Sequence, residues 1–270
     1  MRIARFSYGD PIGAGGSGFA FGAIGGDPGA EEVAVINGHP FGEVTFSGLR
    51  LPLAGVRLLP PVLPSKVVAI GKNYADHARE MGDEPPSEPV LFLKPSTSVI
   101  GPGAAITYPH LSQQVDFEGE LAIVIGRLCR EVPLERANEV ILGYTCANDV
   151  TARDLQKTDG QWARAKGFDT FCPIGPWIST DVDPADLAIS TTVNGQIKQQ
   201  SRTSMLLHGV AELVAFVSNV MTLLPGDVIL TGTPAGVGPL RPGDEVAVTI
   251  EGIATLRNTV SGNASMGGSQ

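Results

Sequence analysis

The stretch VDFEGELAIVIG, residues 115–126, carries acids at alternate positions, Asp116, Glu118 and Glu120. On an extended strand alternate side chains share a face, so the three carboxylates would crowd one side of the chain. Like charges so placed repel, and the run from Leu121 to Ile125 is apolar on both faces, as in a buried strand. Positive charge must therefore stand opposite. Hard divalent cations such as Mg²⁺ take carboxylate oxygens, and two or three acids around one point suffice for them. Glu118 and Glu120 supply two, and Asp149, which closes the apolar segment ILGYTCAND, could bring a third from a neighbouring strand. A Glu-x-Glu pair alone is most often what an ordinary solvated strand shows; the apolar setting of both segments weakens that reading, and spacing alone does not overturn it.

His77 and Glu80 stand three residues apart in NYADHAREMG, the spacing of one helical face. A carboxylate bound to an imidazole orients it and raises its basicity, which suits a general base, although such pairs also occur as plain surface pairs. Lys166 in RAKGFD could polarise a carbonyl oxygen or hold a carboxylate, and Arg153 and Gln156 follow Asp149 closely. Together these groups describe a site for a small anionic keto compound. His208 falls within an amphipathic stretch, where a structural role is expected.

The elements that must position these residues are short and numerous. Thirty-four Gly, 21 Pro and 6% aromatic residues among 270 indicate many turns and a β-rich chain. Residues 1 to about 62 read as a small β-domain ending in the proline-rich LLPPVLPSK, residues 63–260 as the main domain, and 261–270 as a flexible tail. KVVAIG is a buried strand leading into the His77 helix, and a strand-to-helix junction suits chemistry. SMLLHGVAELVAFVSNVMTLL, residues 204–224, has the longest helical periodicity, and PLERANEVI a shorter one. Two glycine patterns are misleading. GAGGSG, residues 13–18, fits Gly-x-Gly-x-x-Gly but lacks a following helix, so a glycine-rich turn is expected. TGTPAGVG, residues 231–238, lacks the Gly-Lys-Ser/Thr ending of a phosphate loop and is expected to line a small-molecule pocket.

A net charge of −9 with no Lys/Arg cluster argues against a nucleic-acid partner. Cys129, Cys146 and Cys172 lack a Cys-x-x-Cys spacing, so a reducing, cytoplasmic setting without disulfides is expected. No apolar run approaches a membrane span, so a soluble protein with no membrane partner is expected.

In order along the chain, GKNYADHAREMG, FEGELAIVIG, GYTCANDVTARDLQ, WARAKGFDTFCPIGPW and LLPGDVILTGTPAGVG resemble the fumarylacetoacetate hydrolase family. The likeness spans roughly residues 65–260 and is nearest to short bacterial members related to acylpyruvases, oxaloacetate decarboxylases and 2-hydroxyhepta-2,4-diene-1,7-dioate isomerases. It implies an α+β, β-rich fold, a mixed β-roll with a small N-terminal β-domain, forming a homodimer. It implies Mg²⁺ or Mn²⁺ on Glu118, Glu120 and Asp149, and a water-activating His77/Glu80 dyad on a segment that closes over substrate. Lys166 would stabilise developing negative charge, while Arg153, Gln156 and Thr233 would line the substrate site. Asp116 matches no ligand position and is expected behind the ligands or in solvent. The implied reaction on a small 2-oxo acid is hydrolytic C–C cleavage of an acylpyruvate; decarboxylation of oxaloacetate, dienedioate isomerisation, or metal binding without turnover are the alternatives.

Overall fold

A computed structural model of the chain describes residues 1–9 and 18–262. Of the expected tail 261–270, Ser261 instead closes the strand Ala254–Ser261 and residues 263–270 lie outside the described residues, as does most of the glycine-rich 13–18 stretch; Gly18 opens a strand. Strands dominate, as expected. The largest sheet has 12 strands among the described residues. Its main path runs Phe46–Pro52, Glu32–Ile36, Gly18–Gly25, Arg2–Tyr8, Cys172–Ser179, Ile141–Asn148, Gly119–Ile125, Val228–Leu230, Val67–Gly71, Val90–Lys94. The N-terminal strands thus join the main sheet through the antiparallel pairing of Arg2–Tyr8 with Cys172–Ser179. A five-stranded sheet (Gln196–Arg202, Ala188–Val193, Glu245–Ile250, Ala254–Ser261, Ala105–Thr107) and a three-stranded one (Thr151–Ala152, Val115–Phe117, Gly238–Pro239) make up the other sheets of the described residues.

Both faces of the central strand Gly119–Ile125 are buried, which explains its unbroken apolar run. Leu121, Ile123 and Ile125 pack with Val248, Ile250 and Leu256 of the five-stranded sheet and with Leu213, Val214 and Val217 of the long helix. Ala122 and Val124 face the opposite core, with Val67, Ala69, Ala147 and Cys172. Glu120 shares this second side by alternation.

The four α-helices of the described residues are short: α1 (Ala75–Glu80), α2 (Arg153–Asp159), α3 (Ala163–Lys166) and α4 (Val210–Val220). The expected helix over 204–224 contracts to α4, because Thr203–Met205 forms a 3-10 turn and Leu206 bridges Tyr74 as extended chain. His208 therefore precedes the helix, its Nδ1 3.9 Å from Glu212 Oε2. PLERANEVI likewise forms a 3-10 helix, Leu134–Val140. No helix of the described residues is long and apolar enough to cross a membrane. The three cysteines are free thiols.

Candidate active site

The acidic segment is not one strand. Val115–Phe117 belongs to the three-stranded sheet and Gly119–Ile125 to the large one, so Glu118 sits where the chain passes from one to the other. Pairing of Gly119 with Asn148 brings the next residue of that neighbour, Asp149, beside Glu118; the Asp149 N–H donates to Glu118 O at 2.8 Å. Carboxylate oxygens of Glu118, Glu120 and Asp149 consequently lie within 4.8 Å of one another, with all three residues buried.

The cations demanded by these acids come from elsewhere in the chain. Lys166, at the end of α3, donates to Glu118 Oε2 and to Asp149 Oδ2, both at 2.7 Å. Arg153, opening α2, donates from Nη2 to Glu118 Oε1 at 2.6 Å and from Nε to Asp116 Oδ2 at 2.9 Å. Asp116 is buried rather than solvated and also accepts from Gln114 Nε2 at 3.1 Å. Its place is thus behind Arg153, which it holds against Glu118. Lys94, missed in the sequence reading, donates to Asp149 Oδ1 at 2.5 Å and to Val150 O at 3.2 Å. Its signal was visible: a lysine closing the apolar strand VLFLK is placed as Asp149 is after ILGYTCAN.

Charge and burial set the electrostatics. Four buried acids (Asp116, Glu118, Glu120, Asp149) face three buried cations (Lys94, Arg153, Lys166). Burial alone would raise the Glu118 carboxyl, but Lys166 and Arg153 outweigh it and hold it below the ordinary carboxylate range. Burial also opposes the Lys166 charge, yet Asp149 and Glu118 raise that amine above its usual value. Glu120 differs. Burial and then the neighbouring Asp149 and Glu118 push its carboxyl well up, and among the described residues it has no ion pair. It accepts the Gly232 N–H at 2.6 Å. Gly232 has φ +100°, and a Cβ there would fall 2.7 Å from Asn73 Cβ, so glycine is what allows this N–H to reach the carboxylate. Three buried oxygen donors with one charge in excess suit a hard divalent cation, which Glu118, Glu120 and Asp149 would hold.

Glu118, Glu120, Asp149, Arg153 and Lys166 line one cavity of about 240 Å³, together with His77, Gln156, Thr233, Phe92 and Trp162. His77 Nδ1 lies 3.2 Å from Glu80 Oε2, the contact anticipated from their spacing. Glu80 Oε1 accepts the Gly236 N–H at 3.0 Å, so the carboxylate is fixed from both sides. Gln156 Oε1 accepts from Arg153 Nη1 at 2.8 Å. Thr233 faces the cavity, but its hydroxyl already donates to Gly119 O and accepts from Gln199 Nε2. The aromatic wall is tightly built. Trp162 meets Phe92 edge to face at 5.2 Å, and Lys166 Nζ lies 5.0 Å from the Phe92 ring centre. Gly71 makes room, since a Cβ there would come within 2.6 Å of the Trp162 ring.

Residues 66–261 match the family model described as Fumarylacetoacetate (FAA) hydrolase C-terminal, and residues 1–61 match Rv2993c-like, N-terminal. Protein Rv2993c of Mycobacterium tuberculosis is 56% identical over 96% of this chain and 98% of its own length. The bovine mitochondrial oxaloacetate tautomerase FAHD2A is 42% identical over 81% of this chain and 77% of its own. Among solved structures, a 5-carboxymethyl-2-hydroxymuconate delta-isomerase from Mycobacterium smegmatis superposes with a TM-score of 0.90 at 56% identity, covering 97% and 100% of the two chains. A fumarylpyruvate hydrolase from Pseudomonas aeruginosa, in complex with Mn²⁺ and pyruvate, gives 0.70 at 37% identity over 75% and 91%.

Proposed function

The chain belongs to the fumarylacetoacetate hydrolase family, and from that premise we propose that it acts on small 2-oxo acids by moving a proton at carbon 3, interconverting keto and enol forms. The carrying observation is that His77, held through Nδ1 by Glu80, lines the same cavity as the three clustered carboxylates. With Nδ1 bound to Glu80, the imidazole has Nε2 left to take a proton from carbon 3 and deliver it to the oxygen on carbon 2, and to carry it back in the reverse direction. Glu118, Glu120 and Asp149 would hold a divalent cation, Mg²⁺ or Mn²⁺, which when bound would supply Lewis acidity toward the oxygens of the 2-oxo acid. Lys166 adds a buried positive charge next to the developing enolate. Arg153 and Gln156 form a rigid pair at the cavity wall that can orient the substrate carboxylate. Phe92 and Trp162 exclude water from the reacting carbons.

The relatives support this choice, since the delta-isomerase and the tautomerase are both named for such proton shifts. A second reading, hydrolysis of an acylpyruvate, is favoured by the fumarylpyruvate hydrolase relative. There the same dyad would take a proton from water instead of carbon, and the enolate would leave as the C–C bond breaks. Loss of CO₂ from oxaloacetate is a third outlet of that enolate.

The test follows enol oxaloacetate by ultraviolet absorbance, and pyruvate release from acetylpyruvate and from oxaloacetate, each in Mn²⁺ and in EDTA. Chelator-sensitive loss of enol without pyruvate supports the proton shift. Pyruvate from acetylpyruvate selects hydrolysis, and pyruvate from oxaloacetate alone selects decarboxylation. Wild-type activity retained in Glu118→Ala overturns the assignment of the site.

A further inference from the structure

The buried cations at the carboxylate cluster are each paired with acids of the protein: Lys94, Arg153 and Lys166 hold one or two carboxylates apiece. One half-buried cation of the cavity is differently placed. Lys72 lines it, with its side chain 27% exposed, and its ammonium lies 2.8 Å from Asp83 Oδ2. Asp83 also lines the cavity and its side chain is 46% exposed, so this pair stands at the mouth, within reach of a ligand. Lys157, exposed on α2, lines the same opening.

The backbone at this position is unusual. Lys72 has φ +58°, a left-handed conformation that a side chain disfavours and glycine would adopt freely. It is held there from behind: Asn73 Nδ2 donates to Thr231 O and His208 O, and Asn73 Oδ1 accepts the His208 N–H. The turn is therefore rigid and presents its ammonium at a set place. Asp83 follows Gly82 and is tied by its N–H to Ala78 O of α1, the helix that carries His77 and Glu80.

We infer that Lys72 binds the distal carboxylate of a 2-oxo dicarboxylic acid, and that Asp83 occupies the ammonium until that carboxylate displaces it. This inference deepens, and rests on, the reading of the cavity as a 2-oxo acid site. It assigns the two ends of the substrate: the 2-oxo acid end to the carboxylate cluster, the far end to Lys72. Exchange of one carboxylate for another leaves the Lys72 charge paired throughout, so little is lost when the substrate enters. Releasing Asp83 also frees the segment behind α1, which links occupation of the far end to the helix bearing the dyad.

The test is calorimetric binding to the Mn²⁺-loaded full-length protein of two matched pairs, 2-oxoglutarate with 2-oxopentanoate and 2-oxoadipate with 2-oxohexanoate. Each pair differs by the distal carboxylate. The wild type should prefer the dicarboxylate of at least one pair by about three- to tenfold, as a partly screened ion pair provides. Lys72→Met, which keeps the backbone cost, should erase that preference, and Asp83→Asn should raise dicarboxylate affinity. Opposite signs at the two positions are what a merely structural pair would not produce. No preference in the wild type, or a preference intact in Lys72→Met, overturns the inference while leaving the 2-oxo acid site standing. Failure of all four acids to bind overturns both.

Discussion

Glu120→Gln should make the metal-free protein more stable while abolishing its response to metal. Glu120 is buried among Glu118 and Asp149 without an ion pair among the described residues, and the site carries four acids against three cations. Substitution removes the acid that burial, Asp149 and Glu118 all disfavour in its ionised form. The introduced amide can keep the Gly232 N–H through its oxygen and donate from its nitrogen to a neighbouring carboxylate. Relief of the cost of burying a carboxyl that its surroundings hold against ionisation is worth about 1–3 kcal/mol. For a chain of this size that is a rise in Tm of about 2–12 °C in EDTA. The wild type should gain about 2.7 kcal/mol from Mn²⁺ at one hundred times its Kd, or about 5–11 °C. Glu120→Gln, with one ligand carboxylate lost, should show little of that gain. Differential scanning fluorimetry of both proteins in EDTA and across a Mn²⁺ series reads both effects. A variant less stable than wild type in EDTA, or one with the full metal-dependent shift, would refute the charge argument or the ligand assignment respectively.

Two further outcomes follow from the geometry. Gly71→Ala places a Cβ 2.6 Å from the Trp162 ring, which must move; we expect stability to fall by about 1–3 kcal/mol and the indole fluorescence to change, and an unaltered Trp spectrum would show that the wall is looser than described. Asp227 is a buried carboxylate that accepts from Ser65 Oγ at 2.6 Å, the Leu224 N–H at 2.8 Å and the Lys66 ammonium. Burial would raise it, but these donors outweigh burial and hold it below the usual range. A depressed folded value adds stability above the unfolded carboxylate pKa, and that stability disappears as pH falls through the folded one. Asp227→Asn should therefore cost about 1–3 kcal/mol at neutral pH, with the deficit shrinking in acid below about pH 4; a pH-independent deficit in urea melts would contradict this.

Much of the site was legible in the sequence because its signals are local. Alternation at Asp116, Glu118 and Glu120 placed three acids on one side of an extended chain, and the flanking apolar run placed them in the interior. Spacing by three placed His77 and Glu80 on one helical face. Both periodicities are properties of a short backbone segment, whatever the rest of the chain does. The family resemblance added roles to these residues but no contacts.

What only the tertiary structure decided is which partners meet those residues. Lys94 reaches Asp149 across 55 positions, and Arg153 reaches Glu118 across 35. Such pairs depend on strand order and register, which no periodicity encodes. The break at Glu118 was hidden for the same reason: an extended segment reads alike whether its hydrogen bonds run to one sheet or to two. Helix length was overestimated over 204–224 because apolar spacing continues through residues that Tyr74 recruits into a β-bridge. Asp116, without an assigned role from its pattern, acquires one once α2 brings Arg153 across it. Types and spacing of residues determined what chemistry the chain could do; long-range pairing, which trades chain entropy for buried contacts, decided where those groups converge.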